Sequence, residues 1–506
     1  LRARSGARHG LVIDGKRVAT NDWTPSRNPA DQEEIVGYAA SAAVEHADAA
    51  AAAARAAQQA WARRPVEERA RLLERLAESL RRHRAELIAL LALEAGKNWA
   101  EADAEAAEAI DLCRFHAAAA RRLLAPRATQ IVPGETNVRL WRPRGVCAVI
   151  TRWNFPLAAP VAMTTAAVAA GNTAVLKPSD RAPIIASRLL DLLAEAGFPP
   201  GVVNLVTGRG AVAGERLAAH PGVDVIAFAG STETGGCIRA AAARAEPGRE
   251  SLKTTICAMG GQNALIVDGD ADLDEAVAGA LGSAFGYSGQ KRSALSRLIV
   301  VAEGYEKFLE RFIAGAASLR VGPAEEPGAL IGPVIDREAQ RRILDLIEAG
   351  RREAVLAWEG AVPAAPKACY APPAIFVDVP PESRLFREEI FGPVVSVARA
   401  KDFEQALALA NDSAFALAGG LYSRSPAHIA RAKAELACGN LYINRPITGA
   451  VVGRQPFGGF RLSGDGTQCG GLDYLQHFMT PQTVTENCLR RGFASHEDAR
   501  DDETGV

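Results

Sequence analysis

The sequence lacks most of the marks of a specialised chain. Its eight cysteines are scattered over 506 residues, with no CxxC pair and no secretory leader pattern ahead of them. That usage speaks against a disulfide framework and for reduced thiols in a cytoplasmic protein. The eight histidines are equally dispersed, so the clustered ligands of a structural zinc site are missing and no metal is expected. Long apolar runs are absent too. The most apolar stretch, Phe155 to Ala170, is interrupted by Pro156 and Pro160 and is too short to span a bilayer comfortably, so it reads as a core helix. Neither sign of charge dominates: 58 Lys plus Arg face 59 Asp plus Glu, a net charge of -1. No sequence-wide basic field is available for nucleic acid or an anionic membrane. No internal repeat is found. The chain opens at Leu1 rather than Met, which leaves a processed chain, a piece of a larger fusion and a non-standard start all open.

What is present is ample material for a large core, with 48% hydrophobic and 23% charged residues. At roughly 100 to 200 residues per domain the chain holds two to four structural units. Residues 1 to about 40 read as an irregular arm with a short hairpin, in which Leu11-Val12-Ile13 and Arg17-Val18-Ala19 flank the turn Asp14-Gly15-Lys16. From Ala42 to about Ala125 the strong helix formers Ala, Glu, Leu and Arg take over, with apolar residues three and four apart and a break at Glu94-Ala95-Gly96-Lys97. This predicts a helical layer.

After Pro126, Pro133 and Pro143 the pattern changes to short β-rich runs, each followed by a helix-length segment: Val146–Ile150, Thr173–Leu176, Val202–Val206 and Val223–Phe228. Such alternation implies parallel βαβ units in a doubly wound sheet, whose ligands sit beyond the carboxyl ends of the strands. A nucleotide site is therefore expected near Trp153, Lys177, Gly208 and Gly230. The alternation resumes at Ala264–Val267 and Leu298–Val301, with helices over Leu273–Ala284 and Tyr305–Ala317, and predicts a second α/β domain. Gly439–Ile443 reads as a further strand and Phe457-Gly458-Gly459-Phe460 as a glycine-rich turn. The stretch from about Arg491 is polar and without periodicity, and is expected to be disordered.

Six blocks occur in order: Trp153-Asn154-Phe155-Pro156, Lys177-Pro178-Ser179, Gly230-Ser231 with Gly235, Met259-Gly260-Gly261, Glu389-Ile390-Phe391-Gly392-Pro393 and Pro456-Phe457-Gly458-Gly459. Together they resemble the aldehyde dehydrogenase superfamily across about residues 10 to 485. Within it, Phe285-Gly286-Tyr287-Ser288-Gly289-Gln290-Lys291, Ile447-Thr448-Gly449-Ala450 and Gly453-Arg454-Gln455-Pro456-Phe457 are most similar to the 1-pyrroline-5-carboxylate dehydrogenases, which oxidise glutamate semialdehyde. The resemblance implies a Rossmann-like dinucleotide domain over 1–129 and 143–256 and a catalytic-type domain over 257–450. It also implies a β flap over 130–142 and 470–490 that joins subunits of a homodimer or larger assembly, ahead of a disordered tail at 491–506.

Oxidation in this family needs a thiolate nucleophile, an oxyanion hole, a nicotinamide to take the hydride and a carboxylate base. The resemblance puts Asn154 in the oxyanion hole, where its amide could be worth about 3 kcal/mol; the alternative is an Asn that caps the helix after Pro156. It puts Arg292 where the family has its cysteine and Ala258 where it has its glutamate, with Gln262 replacing a lysine. A guanidinium stays protonated and cannot form a thioester, and a methyl group cannot move a proton. The cysteines nearest in sequence are Cys257 and Cys369. Strand alternation turns Cys257 away from the side that Ala258 faces, and Ser288 has no base to activate it.

By the same resemblance, Ser293 with the amides of Gly449 and Ala450 holds the substrate carboxylate, and Phe155 and Phe457 wall its methylene chain. Trp153, Lys177, Ser179, Gly230, Ser231, Glu389 and Phe391 belong to the cofactor site. Asp180 leaves NAD versus NADP open, with a lean to NAD. Arg292 either points outward or fills space in a disused pocket, or it pairs with an anion. The expectation is a pseudoenzyme that keeps the fold and the dinucleotide and carboxylate sites. The alternatives are non-covalent hydride transfer on a small acidic substrate using Asn154 and Arg292, and a dehydrogenase with a substituted nucleophile.

Overall fold

Apolar spacing becomes four N-terminal helices, Val44–Arg63, Val66–Arg82, Arg84–Ala95 and Trp99–Leu123. The third stops at the expected break. Gly96 adopts φ +67, and a Cβ there would lie 2.9 Å from Pro333, so the left-handed stop is open only to glycine. Asn98 caps the fourth helix by accepting from the Glu101 N–H. The computed structural model describes residues 5–244 and 251–488; the tail expected to be disordered lies outside the described residues.

The first sheet has seven strands in the order Thr254–Ala258, Val225–Ala229, Val146–Ile150, Thr173–Lys177, Val203–Leu205, Leu11–Ile13, Lys16–Val18. The first five are parallel, and the N-terminal hairpin closes the edge in antiparallel fashion. Every residue of Val146–Ile150 and Thr173–Lys177 is buried, which is why these strands read as unbroken apolar runs. The chain builds outward on one side of Val146–Ile150, then returns to its other side with Val225–Ala229. That reversal is a topological switch point. It gathers Thr151–Asn154, Lys177, Gly230 and Ala258 at one edge.

The second sheet orders Val355–Glu359, Ala374–Val377, Val394–Ala400, Leu295–Val301, Asn263–Val267, Ala418–Tyr422 and Asn440–Ile443. All its pairs are parallel except the first. Thr254–Ala258 leaves the first sheet and, through Met259-Gly260-Gly261, becomes Asn263–Val267 of the second. The carboxyl edge of one sheet thus faces the amino edge of the other, and the candidate site lies at that junction.

One departure from expectation lies at the periphery. The N-terminal arm is more regular than its sequence suggests: Trp23–Asn28 pairs antiparallel with Asp31–Ala40, which pairs parallel with Ala7–His9. The acidic start of Asp31–Ala40 hides a strand whose far half is buried, because pairing partners rather than propensity decide such segments. In the expected flap, Glu135–Pro143 pairs with Met479–Asn487 from Pro143↔Met479 to Glu135↔Asn487. All of Met479–Asn487 after Met479 is exposed. Among the described residues, no helix is long and apolar enough to cross a membrane.

Candidate functional site

The segment before Leu295–Val301 is held in an unusual backbone. Tyr287, Ser288 and Gly289 take φ +51, +54 and +67 in succession, a sequence of left-handed residues that persists only where contacts fix it. Those contacts are present. Tyr287 Oη donates to Ala95 O at 2.7 Å, and Ser288 Oγ to Gly332 O at 2.7 Å. A Cβ on Gly289 would sit 2.0 Å from Gly392 O. Ser288 is therefore a structural hydroxyl. Gln290 accepts from Ile335 N at 2.9 Å, and Lys291 Nζ pairs with Glu101 Oε1 at 2.5 Å.

Opposite this loop runs Trp153-Asn154-Phe155. Asn154 is buried and its Nδ2 donates to Gln290 O at 2.9 Å. It caps nothing: helix Ala158–Ala169 has no side-chain cap at Leu157, and the Leu157 and Ala158 N–H groups instead donate to Glu105 Oε1 at 2.9 and 3.0 Å. Glu105 in turn lies 2.6 Å from Lys97 Nζ, with both side chains fully buried. That ammonium stands 3.8 Å from the ring centroid of Phe155 and 4.5 Å from that of Tyr287.

Arg292 turns into the site. Its Nη1 donates to Met259 O at 3.2 Å, its guanidinium lies 4.8 Å from the Phe457 ring centroid, and its own carbonyl accepts from Asn263 Nδ2 at 2.8 Å. Burial, and then the neighbouring charge of Arg152, push it down to about 10, so it is a cation at neutral pH. Ala258, at the end of its strand, packs against the core cluster that contains Val149 and Ala227, whereas Cys257 belongs to the cluster of Val146, Ala148 and Phe228. The two face opposite ways, as alternation requires. Burial pushes the Cys257 thiol up to about 11.

Sequence distance concealed a closer thiol. Cys469 and Phe457 exchange backbone hydrogen bonds of 2.8 and 3.0 Å, which places their side chains on one face. Burial first, then the charge of Glu108, push the Cys469 thiol up to about 12. It is a protonated thiol, not a ready nucleophile. Glu108 itself is raised to about 7 by burial and then by Glu105. No local pattern marks either residue. Arg152 was also missed, although an arginine directly before Trp153 in an apolar block is a visible anomaly. Its guanidinium lies 5.2 Å from the Phe391 ring centroid, and its Nη1 is buried without a hydrogen-bond partner.

On the side of the first sheet, Lys177 is buried and its amine has no hydrogen-bond partner among the described residues; burial holds it below the usual lysine range. Ser179 Oγ accepts from Arg181 N at 3.3 Å. Ser231 caps helix Thr232–Ala243 by accepting from Thr234 N. Gly230 N donates to Ala258 O at 3.1 Å. A Cβ on Gly230 would meet the Phe228 ring at 1.8 Å, and one on Gly235 the Met259 sulfur at 2.3 Å. This helix start is thus pressed against the strand end that carries Ala258. Trp153 and Phe391 meet edge to face at 5.5 Å. Glu389 Oε1 accepts from Gly261 N at 3.0 Å, which seats the carboxylate on the Met259-Gly260-Gly261 turn.

The remaining expected residues are Ser293, half-buried beside Arg292, and the exposed Gly449 with its neighbour Ala450. Among the described residues, the Ser293 hydroxyl and the Gly449 and Ala450 N–H groups have no hydrogen-bond partner. Gly449 takes φ +77 with open space where a Cβ would be.

A doubly wound sheet that meets a second α/β sheet at a cleft lined by these blocks defines a dehydrogenase-like architecture. The chain belongs to the aldehyde dehydrogenase family, whose model matches residues 17–484. Among curated proteins it is similar to the 1-pyrroline-5-carboxylate dehydrogenase of Geobacillus thermodenitrificans, 42% identical over 96% of this chain and 94% of that protein. Among solved structures it is similar to proline utilization A from Bdellovibrio bacteriovorus, 47% identical with a TM-score of 0.96. That match covers 98% of this chain and spans about half, 51%, of the other. A 1-pyrroline-5-carboxylate dehydrogenase from Thermus with bound NAD is 44% identical, with a TM-score of 0.94 over 96% of this chain and 94% of that one.

Proposed function

We propose that the chain is a member of the 1-pyrroline-5-carboxylate dehydrogenase branch that retains its dinucleotide and carboxylate sites and has lost the covalent oxidation step. One observation carries the reading: Arg292 stands where the resemblance requires a nucleophilic thiol, and its guanidinium is committed to Met259 O and the Phe457 ring. A cation at that atom neither adds to a carbonyl nor leaves as a thiolate. Ala258 removes the matching base, since a methyl group at that position cannot take a proton from water. Cys469, the thiol beside Phe457, is held protonated and does not replace it.

NAD is the cofactor of this reading, in keeping with the Thermus relative solved with it. The residues fit such a group. Lys177 offers an unpartnered amine at the end of a buried side chain to a ribose, and the cap at Ser231 leaves early helix N–H groups for a pyrophosphate. Glu389 stands at the junction for a second ribose. When bound, NAD would supply a hydride acceptor. Asn154 is the oxyanion donor: its amide is fixed by Gln290 O, which leaves its second hydrogen for a developing alkoxide. Ser293 with the Gly449 and Ala450 amides anchors a substrate carboxylate. The chain is expected to assemble through the flap strand Met479–Asn487, and to work in the cytoplasm.

Calorimetric titration with NAD and turnover of glutamate semialdehyde test the proposal together. Binding without growth of reduced-cofactor absorbance is expected. Arg292→Cys with Ala258→Glu should then restore turnover by at least about 10²-fold over either single change, the span general-base catalysis commands. Turnover by the unmodified protein, or no NAD binding at millimolar concentration, would refute it.

A further inference from the structure

Two guanidiniums gather at the turn that joins the two sheets, and they outnumber the carboxylate beside them. Arg292 Nη1 donates to Met259 O at 3.2 Å, and Arg292 O lies 2.5 Å from where a Cβ on Gly261 would be. Glu389 sits on the same turn: its Oε1 accepts from Gly261 N at 3.0 Å, and its carboxylate leaves no room for a Cβ on Gly260. Two residues on, Phe391 meets Trp153 edge to face at 5.5 Å and has the Arg152 guanidinium 5.2 Å from its ring centroid. Arg152 and Glu389 both act on the charge of Arg292, and Glu389 on that of Arg152. The three form one electrostatic group of two cations and one anion. Among the described residues neither guanidinium has an ion pair, and Arg152 Nη1 is buried without a hydrogen-bond partner. The other groups that act on Arg292, the Cys469 thiol and the Tyr474 phenol, are pushed up by burial and uncharged at neutral pH. The flanking charges Lys97 with Glu105 and Lys291 with Glu101 neutralise each other.

The reading of the cleft as an NAD site gives Glu389 the second ribose, and the nicotinamide ring is bonded directly to that ribose. The ring carries a unit positive charge in NAD and none in NADH, while the rest of the molecule is the same in both. A cationic ring beside Glu389 therefore enters the field of an excess guanidinium. Aromatic faces can offset such a charge, but Phe391 is taken by Arg152 and Phe457 by Arg292, 4.8 Å from its centroid. A thiolate at 292 would attract the oxidised ring, whereas a guanidinium repels it.

We propose that Arg292, with Arg152, makes the cleft selective for the reduced dinucleotide, so that the protein binds NADH in preference to NAD and its occupancy follows the ratio of the two. This rests on the NAD reading and deepens it, since a site without nucleophile or base has no turnover to lose by holding the reduced form.

The test is calorimetric titration of the full chain with NADH, NAD and ADP-ribose, which has both riboses and the phosphates but no nicotinamide ring. NADH is expected to bind about 10-fold more tightly than NAD, the order of one like-charge repulsion at an effective dielectric of about 20. Arg292→Gln, which can still donate to Met259 O, should bring the two to within about 3-fold by tightening NAD, and should leave ADP-ribose unchanged. Equal binding of NADH and NAD to the unmodified protein, or a preference that Arg292→Gln leaves intact, overturns the proposal; binding of ADP-ribose in the same titrations keeps the cofactor reading standing. If none of the three binds at millimolar concentration, the cofactor reading falls and the proposal with it. Should Arg292→Gln fail to fold, Arg152→Gln removes the second guanidinium of the group and should narrow the preference likewise, and an unchanged preference in that variant overturns the proposal.

Discussion

Lys97 offers the sharpest energetic test of how the site is held. Its ammonium lies 2.6 Å from Glu105 Oε2 with both side chains fully buried, and it faces Phe155 and Tyr287 at 3.8 and 4.5 Å. Lys97→Met keeps the apolar stem but leaves Glu105 as a buried carboxylate without its cation, a change that costs about 3 to 5 kcal/mol. Glu105 keeps the Leu157 and Ala158 N–H groups, which sets the expectation at the lower end, about 3 kcal/mol. Glu105→Gln strands the ammonium and should cost about as much. The double variant removes both charges while glutamine still accepts from the helix start, so it should cost about 3 kcal/mol rather than twice that, a coupling of about 3 kcal/mol. The shift in the first urea-induced transition, followed by circular dichroism, measures each. A single variant costing under about 1 kcal/mol, or an additive double variant, would refute the claim that this pair anchors the wall of the pocket.

Further outcomes follow from other parts of the fold. Burial pushes His116 down to about 3, so the unfolded chain takes up a proton below pH 6.5 that the folded chain refuses. Its contribution to stability is whole above pH 6.5 and falls with pH at about 1.4 kcal/mol per unit; His116→Gln should flatten the acid limb between about pH 6.5 and 5, read from urea titrations at each pH. Cys469 should resist alkylation at neutral pH while the exposed Cys237 reacts, as peptide mass mapping would report; rapid labelling of Cys469 would revive it as a nucleophile. Gly289→Ala places a Cβ 2.0 Å from Gly392 O at φ +67. It should destabilise by more than about 2 kcal/mol, because a backbone oxygen cannot rotate away; a neutral outcome in thermal unfolding would show that the loop adapts.

The large elements were legible because their cause is local. Val146–Ile150 and Thr173–Lys177 are buried on both faces and read as unbroken apolar runs, and Gly96 stops a helix where the sequence places a glycine. Asp31–Ala40 was not legible, since its partners Trp23–Asn28 and Ala7–His9 decide its conformation and its first half is acidic. Trp153–Pro156, Lys177–Ser179 and Gly230–Ser231 meet at the switch point because each stands at or just beyond the carboxyl end of a parallel strand of the first sheet. Cys469 and Glu108 escaped for the opposite reason: they reach the pocket through the pairing of Phe457 with Cys469 and through the face of helix Trp99–Leu123, neither of which leaves a sequence pattern. The choice left open for Arg292 narrows once its contacts are known, for it turns inward onto Met259 O and Phe457 rather than outward.

Ala258 and Arg292 contribute to the frame through their backbones. Ala258 accepts from Gly230 through its carbonyl, and Arg292 accepts from Asn263 through its own. The groups that fix the loop and the turn are Tyr287, Ser288, Gln290, Asn154 and Glu389, and each bonds to a main-chain atom. None needs a thiol at 292 or a carboxylate at 258. The side chains at 258 and 292 can therefore be changed without removing these bonds. The same independence gives the double variant Arg292→Cys with Ala258→Glu its meaning, since a gain or lack of turnover in it reports on the two side chains and not on the loop and turn that carry them.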